Sequence, residues 1–221
     1  MAQSIPLRGV LLFHLNLSYS AIPVADRGQV VRRCYHPLLD LLDAVPDAKI
    51  AIEASGHTLE RIAELDPAWV ERLRDAVRAG RVEFVGSGDS QLIGPLVPET
   101  VNHWNQRLGR ETYREILGVE PAVALVNEMA WSQGIVSSYV DAGYRAVVME
   151  WNNPRRTHPE WEEEWRYRRV RTAAPGGEAL EVLWADAVAF QKLQRAVAGD
   201  LEFEEYVDWV VERAGDSEGK P

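Results

Sequence analysis

Residues 49–91 read KIAIEASGHTLERIAELDPAWVERLRDAVRAGRVEFVGSGDSQ. The run at 49–54 predicts a strand, and two helices follow it near 57–65 and 67–79. Asp66 is a plausible N-cap for the second helix, Pro67 fits its first turn, and Gly80 closes it. A second strand at 81–86 runs into GSGDSQLIGPLVP, which is too rich in turn residues to be regular. Two strands joined by helices form a crossover connection, and such connections join parallel strands. This stretch therefore sets the class as α/β with a largely parallel sheet.

The alternation continues in both directions. A strand is expected at 8–14, then a helix over 28–44 with Val30, Val31, Cys34, Leu38, Leu41 and Leu42 at helical spacing. Pro37 lacks an amide donor and is expected to kink or break that helix. A long helix at 99–117 stops at Gly118, and strand 122–126, helix 132–142 and strand 145–150 add another crossover. From 151 the pattern changes to a charged, proline-bearing loop, NNPRRTHPEWEEEW. WRYRRVRT and ALEVLWA then flank PGG as a hairpin or excursion, and helices follow at 187–197 and 202–214. The expected organisation is one partial barrel over 1–214 and a polar tail or linker at 215–221. Five or six barrel strands can be counted, whereas a complete eightfold barrel takes about 250 residues.

Composition excludes several functions. The 221 residues are 46% hydrophobic and 26% charged, an ordinary soluble balance. A net charge of −10, from 34 acidic and 24 basic side chains, argues against a nucleic-acid partner, which calls for a basic stripe. Cys34 is the single cysteine, so an internal disulfide is excluded and a reducing, cytoplasmic setting is expected. No apolar run approaches the roughly 20 residues that cross a bilayer, so no membrane partner is expected. The histidines show no metal-ligand spacing, and no nucleotide loop or nucleophile elbow is present. Neither a cofactor nor a metal is expected.

The chemistry gathers at the strand ends. His14 closes the first strand and Glu53 the second, while Gln91 follows the third. Asn127, Glu128 and Trp131 follow the fourth, Glu150 and Trp151 the fifth, and Asp186 the run ALEVLWA. In a parallel sheet the C-terminal strand ends open onto one ligand-binding face. Carboxylates, amides and indoles brought together there make the lining of a sugar-handling cleft. For Glu128 two readings stand: a catalytic carboxylate on a rigid element, or a glutamate favoured by the following helix dipole. Glu53 and Glu150 are open to roles in the cleft or in salt bridges, and Asp186 equally suits a helix N-cap. Trp131 and Trp151 follow carboxylates and are expected as stacking walls of sugar subsites.

Four strings, FHLNLSYSAIP, GRVEFVGSGDSQLIGPLVP, PAVALVNEMAWSQGI and YRAVVMEWNNP, occur in the order seen in glycoside hydrolase family 57, which the chain resembles over about residues 8–200. WADAVAFQKLQR is similar to a segment of uncharacterised members of that group. The resemblance implies an incomplete seven-stranded (β/α) barrel and a retaining enzyme acting on α-linked oligo- or polysaccharides without a metal. Amylases, 4-α-glucanotransferases, branching enzymes and α-galactosidases are its known activities. It carries the nucleophile onto Glu128, the first-strand histidine onto His14, and the glycine-rich second region onto Gly86–Gln91. Gln91 there replaces an acidic residue common in characterised members.

Two departures accompany the likeness. The family's His-Gln-Pro becomes His14 followed by LNL, and its general-acid aspartate lies beyond the segment matching FQKLQR. Either the chain stops short of that acid, or this subgroup uses another group; Asp186 is the nearest in-chain candidate. A chain that stops short is expected to leave an apolar barrel flank that promotes self-association. The rival readings are a polysaccharide deacetylase-like hydrolase, a zinc-dependent α-mannosidase, and a non-catalytic glycan-binding or regulatory relative.

Overall fold

The computed structural model describes residues 9–174 and 176–215. Pro175, in the expected PGG turn, and most of the expected tail at 215–221 lie outside the described residues. The chain divides into two compact units: Val10–Val147 with Thr172–Leu180, and Val148–Arg171 with the described residues from Glu181 onward.

In the first unit, β1 (Leu12–Leu15), β2 (Ile50–Ala54) and β3 (Val82–Val85) form a parallel sheet in that order. The register sets His14 beside Glu53 and Glu53 beside Val85. A parallel bridge from Gly86 to Ala124 continues the arrangement to β4 (Val123–Leu125), with the Gly86 amide on the Val123 carbonyl and the Leu125 amide on Gly86. A second sheet takes the order β4, β5 (Ala146–Glu150), β7 (Ala179–Ala185), β6 (Val170–Ala173), and the division between units falls within the last three of these strands. The expectation of one continuous sheet is thus met as two sheets. The β3–β4 junction is reduced to a single bridge because the GSG turn begins at Gly86.

The helices follow the predicted signals closely. Ser55 caps α3 (Gly56–Leu65) by accepting from the Thr58 amide at 3.2 Å. Asp66 caps α4 (Pro67–Arg78) by accepting from the Trp69 amide at 3.0 Å. The longest helix, α5 (Glu99–Leu117), ends at Gly118 in the left-handed conformation, φ 71°. Ahead of these, α1 (Arg27–Val30) and α2 (His36–Ala44) are joined by a π-helical stretch, Val31–Tyr35, where a break was expected at Pro37. The wider turn changes the hydrogen-bond register just before the proline, and Pro37 then occupies the first turn of α2, where its missing amide costs nothing. A short helix, α6 (Val136–Asp141), precedes β5.

The core of this unit is the apolar face of β1–β3 covered by α1–α5. Leu17, Val31, Ile52, Leu59, Ile62, Trp69, Leu73, Tyr113 and Leu117 are all fully buried within it. Trp69 packs against Tyr35 with ring centroids 5.9 Å apart. Trp69→Ala would leave a large void in this core, and we expect it to cost about 3–5 kcal/mol. Chemical denaturation would register this as a lower midpoint.

The second unit contains α7 (Asn152–Thr157), α8 (Ala187–Ala198) and α9 (Phe203–Gly215). Trp151, Trp161, Trp165 and Trp184 pack within it as a chain of indoles, with neighbouring centroids 5.2–6.0 Å apart. Among the described residues no helix is long and apolar enough to cross a membrane.

Candidate active site

The glycine-rich loop after β3 is built to hold still. Gly88 has φ +88°, a conformation that L side chains rarely adopt. A Cβ on Gly109, in the middle of α5, would fall inside the backbone of Gly88 and Asp89. The loop and the helix therefore touch backbone to backbone. Tyr113 Oη donates to the Gly88 carbonyl at 2.7 Å and accepts from the Ser87 amide at 3.1 Å. Asn105 accepts from the Ser90 amide at 2.7 Å and returns a bond to the Ser90 carbonyl at 3.0 Å. Gly109→Ala would force this contact apart; we expect a loss of about 1–3 kcal/mol, visible in thermal melting, and displacement of Gln91.

Gln91 emerges from this clamp and donates from Nε2 to Glu128 Oε1 at 3.1 Å. Glu128 stands at the C-terminal end of β4, in a 3-10 turn, Asn127–Met129, with φ 54° and ψ 14°; Met129 follows at φ 50°. Two consecutive non-glycine residues in the left-handed region cost about 1–2 kcal/mol each. The turn is pinned from below by Asn127, 3% exposed, whose Nδ2 donates to the Ser87 carbonyl at 2.9 Å. The carboxylate itself is exposed.

On the adjoining strands His14 Nδ1 bonds to Glu53 Oε2. The Glu53 side chain is 0% exposed and the His14 ring 38%. Burial pulls the imidazole pKa down, but the Glu53 hydrogen bond and the charges of Glu53 and Glu128 outweigh it, holding His14 above its ordinary 6.5. His14 with Glu53 and Gln91 with Glu128 thus form two bonded pairs at the strand ends, and the charge of Glu128 reaches His14. Trp131 lies in the same unit, half-buried.

The remaining expected site residues belong to the other unit and have other occupations. Both Glu150 oxygens are taken by the start of α7, accepting from the Asn152 amide at 2.5 Å and the Asn153 amide at 2.9 Å. Trp151 is 2% exposed and covered by Trp161 and Trp184, so it offers no open face for stacking on a sugar. The flat aromatic expected there is used to build the hydrophobic interior of its own unit. Asp186 accepts from the Val188 and Ala189 amides at 2.9 and 3.1 Å and pairs with Arg166 at 2.5 Å and Arg213 at 3.1 Å. Burial acts to raise its pKa, but the Ala189 amide and the two guanidiniums prevail, keeping it below the ordinary carboxylate value. A general acid must carry a proton at working pH. This environment is the reverse, so the expectation of Asp186 as acid gives way to a helix cap and ion-pair hub.

Sequence reading missed the partners that hold these side chains, Tyr113, Asn105 and Gly109, and placed Asn127 at the strand end without its role as a pin. Gly109 carried a signal, since a glycine inside an otherwise strong helix marks a close approach. Among the described residues no three His, Cys, Asp or Glu side chains gather in a way that could hold a metal.

A parallel α/β scaffold with carboxylates and amides gathered at the C-terminal strand ends is the arrangement in which barrel-type folds place their ligand sites. Residues 13–186 match the glycosyl hydrolase family 57 model, and the chain belongs to this family. It is 26% identical to the alpha-amylase of Pyrococcus furiosus over 122 residues, covering 55% of this chain and 19% of that one. With the 4-alpha-glucanotransferase of Thermococcus litoralis it shares 25% identity over 122 residues, 55% of this chain and 18% of that one. The crystal structure of a 4-alpha-glucanotransferase from the same organism superposes with a TM-score of 0.75 at 20% identity, over 91% of this chain and 30% of the other. The chain thus spans about a fifth of the length of the curated relatives it matches. The fold is that family's incomplete barrel, without closure.

Proposed function

We propose that this chain carries the nucleophile half of a retaining glycosidase or glycosyltransferring site for α-linked glucans, with Glu128 as the nucleophile. The observation that carries the reading is the backbone of Glu128. A side chain held in the left-handed region at a strand end, with Gln91 bonded to one carboxylate oxygen, stores strain of the kind that clusters at reacting groups. Membership of glycosyl hydrolase family 57 and relatives named for α-glucan chemistry support the same assignment. In the first step the Glu128 carboxylate attacks the anomeric carbon, the carbon–oxygen bond to the leaving group breaks as that oxygen takes up a proton, and a glycosyl-enzyme forms; water or an acceptor sugar then loses a proton, takes the glycosyl group and frees Glu128. His14 and Gln91 are assigned to the sugar held against Glu128, with Trp131 as a neighbouring wall.

The test is an α-glycosyl fluoride, whose leaving group needs no general acid. A fluorosugar that accumulates as the glycosyl-enzyme should add one sugar to the peptide bearing Glu128, read by mass spectrometry. A label on any other carboxylate sinks the nucleophile assignment. Binding of maltooligosaccharides with no label at all would move the chain to the glycan-binding reading.

A further inference from the structure

Glu53 is a buried carboxylate that the proposed chemistry leaves unexplained. Register pairing puts His14, Glu53 and Val85 side by side on one face of the sheet. Val85 is 3% exposed and Glu53 0%, so the carboxylate sits in an apolar, desolvated place. Such a group costs several kcal/mol unless it is partnered. Oε2 has His14, while Oε1 has no partner.

Four phenols, Tyr35, Tyr113, Tyr139 and Tyr144, are pushed upward mainly by burial and in part by the Glu53 charge. They stay neutral at working pH and cancel none of that charge. Among the described residues the only cation-forming group bonded to Glu53 is the imidazole of His14. A carboxylate only accepts, so the proton on this bond belongs to Nδ1. Nε2 has no hydrogen-bond partner among the described residues and remains the ring's open position.

We propose that Glu53 is a positioning residue: it fixes the proton of His14 on Nδ1 and favours the doubly protonated, cationic ring beside Glu128. The ring then has a second N–H, on Nε2, for a sugar oxygen, and its charge favours the ionised nucleophile. Glu53 reaches the chemistry only through the imidazole. The groups that face His14 electrostatically are Glu53 from β2 and Glu128 from the turn after β4. The catalytic consequence rests on the reading of Glu128 as nucleophile, whereas the state of the ring does not.

Nitrogen-15 NMR of histidine-labelled protein tests the ring directly. In the unmodified chain His14 should keep its Nδ1 proton and titrate above an ordinary histidine. In Glu53→Gln, which keeps shape and removes charge, proton affinity at His14 should fall about tenfold or more. A neutral ring protonated on Nε2 alone in the unmodified chain overturns the proposal even if the variant fails to fold. So does a midpoint that Glu53→Gln leaves in place. With an α-glycosyl fluoride the alkaline limb of kcat/KM should move to lower pH in Glu53→Gln; a purely structural role would lower the amount of folded enzyme without moving the limb. Absence of turnover by the unmodified chain counts against the proposed function, and the NMR pair still decides on Glu53.

Discussion

Glu128→Gln should reduce fluoride release from an α-glycosyl fluoride by a factor on the order of a thousand or more, while leaving the fold intact. Each tenfold loss corresponds to about 1.4 kcal/mol of transition-state stabilisation, so the expected deficit is at least about 4 kcal/mol. An amide cannot form the glycosyl ester, and no other step of a retaining reaction compensates for that. Stability should hardly change, because Glu128 is exposed and the amide oxygen of a glutamine can still accept from Gln91.

Glu128→Gly gives the same prediction a second, opposite sign. At φ 54° a glycine is relieved of the strain that the glutamate bears. It should raise stability by about 1 kcal/mol while abolishing turnover. Paired melting and rate measurements check this. A glycine variant that melts lower than the parent would mean that the left-handed turn is not strained. The tension between stability and activity would then be absent from this position.

The parallel sheet, the cap at Asp66 and the stops at Gly80 and Gly118 were legible because each depends on local chemistry: apolar runs, side-chain oxygens that accept amides, and residues tolerant of positive φ. The carboxylate at the end of β4 was legible for a related reason, since a polar residue after an apolar strand has few other places to go. What failed to show is what depends on a second segment. Residues 31–35 carry no local signal of a π-helical stretch, which lies just ahead of Pro37 with Val31 and Tyr35 buried. Trp151 looked like a subsite wall while its neighbours Trp161 and Trp184 were distant in sequence; once they cover it, it is interior. Glu150 and Asp186 are the same kind of residue as Glu128 by sequence position. Amides of the following helices take up both, and only the left-handed turn at Glu128 keeps its carboxylate exposed.

Asp186→Asn should lower the stability of its unit by about 2–3 kcal/mol and leave fluoride release per folded molecule unchanged. The amide oxygen of an asparagine can still accept from the Val188 and Ala189 amides, so the helix cap survives. What disappears is the charge shared by Arg166, 14% exposed, and Arg213. Charge-assisted bonds of this kind are worth about 1.5–3 kcal/mol, and Arg166 is left with its longer pairing to Glu163 at 3.5 Å. The pH dependence follows from the depressed pKa of Asp186. Its stabilisation is complete above the ordinary carboxylate value of 3.8 and disappears as the pH falls through the lower folded value. Asp186→Asn should therefore converge with the parent in acid and separate from it toward neutrality, in denaturation measured across pH. His14, whose pKa is raised, acts in the opposite sense: its contribution is full below 6.5 and disappears as the pH rises through its folded value. A general acid at Asp186 would give a different pattern. Turnover of an ordinary glycoside would fall sharply in Asp186→Asn, only the first-turnover burst of fluoride would be spared because the same group serves as base in the second step, and the stability difference near neutrality would be missing. The two guanidiniums make that outcome chemically unfavourable, since they hold the carboxylate in the form that has no proton to give.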